Sequence, residues 1–100
     1  MARVTVRAQR AGDAWKCVVT VEHDGERTTH SVTVRPADME RWGGGAERGD
    51  VEDLVARSFE FLLEREPAGS ILKTFDLAVI PRFFPEYDQL FGHRGDGAPR

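Results

Sequence analysis

Cysteine is nearly missing from this chain: Cys17 stands alone, which excludes an intrachain disulfide and points to a reducing, cytoplasmic setting. No secretory leader is expected, because MARVTVRAQR alternates polar and apolar residues where such a signal would place a basic stretch before an apolar run. The longest uninterrupted apolar run is Leu77–Pro81, far short of a membrane span. No serine sits in a G-x-S-x-G setting, and Gly43-Gly44-Gly45 lacks the Lys-Ser/Thr of a phosphate-binding loop. A large excess of one charge sign is also lacking. The net charge of -3 divides into six Lys/Arg against four Asp/Glu over residues 1–36, and eight against thirteen over 37–100. Neither part reads as a nucleic-acid tail.

What remains is a chain of 100 residues, 40% apolar and 31% charged, enough for one domain with one modest core. The first 35 residues predict a three-stranded antiparallel meander whose two turns fix the register. Asp24-Gly25 is a hairpin signal that sets Val19 opposite His30, Cys17 opposite Val32, Trp15 opposite Val34 and Val21 opposite Thr28. A Gly12-Asp13 turn sets Val6 opposite Val19, Val4 opposite Val21 and Ala8 opposite Cys17. Both turns select the same apolar face: Val4, Val6, Ala8, Trp15, Cys17, Val19, Val21, Val32 and Val34. The other face carries Arg3, Arg7, Lys16, Arg27 and Arg35 among Thr, Ser and Gln, with Glu22 as its one acid. Those five bases form a candidate nucleic-acid face, although no aromatic accompanies them for base stacking.

Pro36 ends the third strand, one helical turn is expected over Asp38–Trp42, and the three glycines then break it. Asp50 reads as the N-cap of a helix running to Glu66, where Pro67 stops it. Its apolar residues Val51, Leu54, Val55, Phe59, Phe61, Leu62 and Leu63 span an arc of roughly 200°, twice the usual core stripe. Such a helix is covered on two sides.

All six phenylalanines lie in the second half of the chain. Ser70 and Asp76 look like further caps, and Ile80, Phe83, Phe84 and Tyr87 have the spacing of a helix face interrupted by Pro81 and Pro85. From Val51 to Phe91 there are eighteen large apolar residues, more than one helix needs. At about 1.5–3 kcal/mol per buried side chain, they serve either as a second layer of core or as an interface. Phe61, Phe83, Phe84, Tyr87 and Phe91 are the candidate protein-contact residues. Residues 92–100 are expected to form a disordered tail after a single domain of residues 1–91, and Arg94-Gly95-Asp96 within it is a chance match to an adhesion tripeptide.

Cys17 and His30 fall on one face of adjacent strands. Without further ligands in reach they read as a buried thiol beside a histidine, not as a metal site or nucleophile pair, so neither metal nor cofactor is expected. Glu52, Asp53, Glu60 and Glu64 read as N-terminal charge and a solvated helix face.

The run Arg57-Ser58-Phe59-Glu60-Phe61-Leu62-Leu63-Glu64-Arg65-Glu66-Pro67, followed by Ser70-Ile71-Leu72, Phe75-Asp76-Leu77, Ile80 and Phe83-Phe84-Pro85-Glu86-Tyr87, resembles a group of small uncharacterised bacterial proteins. That resemblance covers about residues 30–88 and implies a meander, a long helix and an aromatic close; Pro81 departs from the pattern. More remotely, the β-β-β-α order is similar to the partner-binding domain of HicB-type antitoxins, without their Pro-rich loop or DNA-binding domain. Neither resemblance supplies catalytic or ligand residues.

The expectation is an α+β domain, a three-stranded antiparallel meander covered on one face by helix 50–66, with short C-terminal helical segments packed over it. Its expected role is a non-enzymatic protein-interaction module acting on a protein partner or as a homodimer, with nucleic-acid binding as the alternative and no membrane or metal partner.

Overall fold

The computed structural model describes residues 2–92. The two hairpins form as their turn residues dictate. β1 (Arg3–Ala11) turns into β2 (Ala14–His23) through Gly12, whose φ of 68° is the left-handed conformation glycine adopts at no steric cost. β2 turns into β3 (Glu26–Val34) through Asp24 and Gly25, with φ of 53° and 82°, the paired left-handed residues of a type I′ turn. Every cross-strand pair expected from the sequence is present, from Val4 opposite Val21 to Trp15 opposite Val34.

The sheet has four strands, not three. β4 (Thr74–Asp76) lies parallel to β3, placing Thr74 beside Ser31, Phe75 beside Val32 and Asp76 beside Thr33, and Ser31 N–H donates to Lys73 C=O at 2.7 Å. Three residues are too few to show an alternating pattern, and their partner lies some forty positions away with no turn to announce it. The strand order β1-β2-β3-β4 therefore leaves β1 and β4 at the edges.

α1 (Pro36–Trp42) begins with proline in its first turn, where the missing N–H costs nothing. The Asp38 carboxylate accepts the Arg35 N–H at 2.9 Å, and burial holds its pKa above the usual carboxylate range. α2 (Arg48–Leu63) starts earlier than the sequence implies. Glu47 is the N-cap, and Asp50 sits one turn in, accepting the Glu47 N–H at 3.0 Å. Asp50 thus serves the helix start from within it, as in half of a capping box.

α2 crosses the inner face of the sheet chiefly over β1. Val51, Leu54, Val55 and Phe59 are fully buried there with Val19, Val32 and Val34. Its far side is covered by the C-terminal segment, so the surplus of apolar residues is largely a second layer of core. α3 (Ile80–Phe83) and α4 (Glu86–Phe91) bring Tyr87 into this layer. Its ring packs edge-on to Trp42 and Phe61 at 5.2 and 5.3 Å and stacks on Phe91 at 4.3 Å. Asp88 accepts Trp42 Nε1–H at 2.8 Å and pairs with Arg41 at 2.6 Å, fastening α4 to α1. Arg65 lies 3.7 Å above the Phe61 ring and pairs with Glu86 at 3.0 Å, fastening α4 to the end of α2.

Ile80, Phe83, Phe84 and Tyr87 do not share one helix. Pro85 disfavours the helical conformation at the residue before it, and Phe84 adopts φ -131° and ψ 85° between α3 and α4. Ile80 and Tyr87 turn inward, Phe84 is half-buried, and Phe83 is left 65% exposed. Among the described residues, no helix is long and apolar enough to cross a membrane. The expected tail lies outside the described residues, Gly92 excepted.

Candidate functional site

His30 shows how the groove at the β4 end of the molecule is assembled. Its Nδ1 lies 2.8 Å from the Leu72 carbonyl, which can only accept, so Nδ1 carries the proton and Nε2 accepts from the Thr28 hydroxyl at 2.9 Å. The ring is 1% exposed and tilts against Phe59 at 5.2 Å. Both nitrogens are committed, leaving none for Cys17. The thiol is buried, and desolvation followed by the Glu52 charge pushes its pKa up to about 12. Among the described residues, no three His, Cys, Asp or Glu side chains converge as a metal site.

By holding the Leu72 carbonyl, His30 fixes the loop that leads into β4, and the Leu72 side chain is turned outward, 51% exposed. Leu72 and Phe83 both line a groove of about 200 Å³ whose other apolar walls are Leu62, Ile71, Phe75, Val79, Ile80 and Phe84, with Glu66 and Ser70 its polar members. Two exposed large side chains on one apolar groove are unusual in a chain this small. Leu72 was not among the expected contact residues, since no sequence pattern marks its exposure or the His30 bond to its carbonyl.

The five expected contact residues divide. Phe61 is 5% exposed and Tyr87 0%, so both belong to the core, Phe61 being covered by Tyr87 and Phe91 of α4. Phe91 is half-buried, stacked on Tyr87 with Arg57 5.5 Å above its ring. Phe83 and Phe84 alone come together at the groove.

The outer sheet face is open, and Arg3, Arg7, Lys16, Arg27 and Arg35 are all exposed on or beside it. It is less basic than the sequence implies. Arg27 pairs with Glu22 at 2.6 Å, and the fourth strand delivers Asp76 to Arg35 at 2.8 Å. Arg3, Arg7 and Lys16 have no ion pair among the described residues. Between them run Thr5, Thr20 and Thr29, aligned across three strands, and Val18, 47% exposed. Compared with known families, with curated proteins and with solved structures, the chain matches no family model, no curated relative and no solved fold.

Proposed function

We propose that the protein is a non-enzymatic interaction module that docks a second copy of itself through the Leu72–Phe83 groove. The observation that carries this reading is the exposed Phe83 ring on the rim of an apolar groove. One patch then offers both a projecting side chain and a receiving surface, which is what a two-fold, self-complementary interface needs. Leu72 and Phe83 are 51% and 65% exposed, so burying what remains of both in the two copies contributes about 3–7 kcal/mol gross, against an association cost of about 4–15 kcal/mol. The dimer is therefore weak. The resemblance to a partner-binding antitoxin domain agrees in kind but assigns no residue.

Light scattering over a concentration series tests the reading. Wild type should approach twice the monomer mass by about 1 mM, while Phe83→Asp stays monomeric with an unchanged melting temperature. A wild type that remains monomeric throughout, or a Phe83→Asp variant that dimerises equally, rules it out.

Nucleic-acid binding is the second reading. Its support is the row of unpaired Arg3, Arg7 and Lys16 on the open sheet face, now reduced by the ion pairs of Arg27 and Arg35.

A further inference from the structure

The free edge of β1 is closed at one point and open at another. Ala8 N–H points away from β2 and donates to Glu52 Oε2 of α2 at 2.9 Å. Residues two apart on a strand direct their backbone groups the same way, so Val4 and Val6 also present N–H and C=O outward. Neither has a partner there among the described residues. Glu52 thus blocks strand addition at Ala8 and leaves the start of β1 available.

Beside that open stretch lies a trough of about 460 Å³ between the hairpin end of the sheet and the end of α2. Its wall includes the half-buried apolar residues Val4, Leu63 and Ala68. Its rim carries Glu26, Glu60 and Glu64, with no Lys or Arg in the lining. Glu64 touches Arg65 at 3.3 Å, whereas Glu26 and Glu60 have no ion pair among the described residues. Glu60 and Glu64 are one helical turn apart and repel each other when empty-handed.

We propose that this trough receives an extended cationic segment of a partner protein, added as a strand beside Val4 and Val6. Alternation along such a strand sends every second side chain toward α2. An apolar residue would lie over Val4 and Leu63, and an Arg or Lys two positions on would meet Glu60 and Glu64. The rim repels phosphate, which excludes nucleic acid and anionic lipid as occupants. The site is separate from the Leu72–Phe83 groove and stands whether or not the protein dimerises there.

The probe is a fluorescein-labelled peptide, Thr-Leu-Thr-Arg-Thr-Arg-Thr, titrated with the full chain at low salt, with a second peptide carrying Glu in place of Arg. The Arg peptide should bind saturably and shift the backbone amides of Val4 and Val6, and the Glu peptide should not bind. Glu60→Gln/Glu64→Gln should weaken binding about tenfold, whereas Glu40→Lys, an equal charge change on α1, should alter it less than about twofold. Phe83→Asp should leave it unchanged. The proposal is overturned if the wild type shows no saturable binding, if Glu40→Lys weakens it as much as the Gln pair, or if the Gln pair abolishes self-association, which would make the occupant a second copy.

Discussion

The hydroxyls of Ser58 and Tyr87 lie 2.7 Å apart in the interior, and the direction of the bond between them is fixed. Ser58 spends its one hydrogen on the Leu54 carbonyl at 2.7 Å, so Tyr87 is the donor. This bond ties α4 to the middle of α2 across twenty-nine positions. Tyr87→Phe keeps the ring packing and leaves Ser58 still donating, so it should cost about 1 kcal/mol in urea unfolding. Tyr87→Ala also empties the space beside Trp42, Phe61 and Phe91 and should cost about 3–5 kcal/mol. Ser58→Ala made in the Tyr87→Phe background should cost less than in wild type.

Asp88 provides a second link of the same kind, to Trp42 Nε1 and to Arg41. Asp88→Ala leaves the buried indole N–H without its acceptor and should destabilise by about 1–3 kcal/mol. Arg41→Ala removes an exposed ion pair and the guanidinium 5.0 Å over the Trp42 ring, leaves the indole acceptor in place, and should cost less than Asp88→Ala, about 1 kcal/mol. Tryptophan fluorescence during unfolding separates the two, and equal effects would contradict the assignment.

Cys17 makes the pH dependence predictable. Burial raises its pKa from 9.0 to about 12, so folding favours the neutral thiol. Its contribution is fully present below pH 9 and is lost as pH rises toward 12, by up to about 1.4 kcal/mol per pH unit. Cys17→Ala should flatten the stability profile in that window relative to wild type. An aromatic disulfide reagent at pH 8 should react with the folded protein only as fast as it unfolds.

Local chemistry was legible in the sequence, and distant pairing was not. Gly12 and Asp24-Gly25 fix the register of β1, β2 and β3 because a two-residue turn admits one pairing, and the nine apolar inner-face residues follow from it. The apolar arc of α2 correctly implied cover on two sides. β4 was hidden, since Thr74, Phe75 and Asp76 acquire strand geometry only from β3. With β4 came Asp76, which changed the charge of the outer face. Phe83 and Tyr87 are chemically alike in the sequence; Pro85 separates them, coming after the end of α3 so that Phe83 is left outward while Tyr87 turns inward in the first turn of α4.

The outer face supplies the remaining prediction. Arg3, Arg7 and Lys16 have no ion pair among the described residues, and Arg7 and Lys16 flank the exposed Val18 on adjacent strands, with Arg7 directly opposite it. If the face tracks a phosphate backbone, each base contributes to counterion release, and Arg7→Glu/Lys16→Glu should lower affinity for single-stranded RNA at low salt by more than tenfold, about one order per contact. Arg27→Ala and Arg35→Ala, already engaged with Glu22 and Asp76, should change it little. Without an aromatic platform the binding should be sequence-independent and lost by about 0.2 M salt. Absence of wild-type binding in a low-salt mobility shift removes the nucleic-acid reading and leaves the two protein-docking grooves.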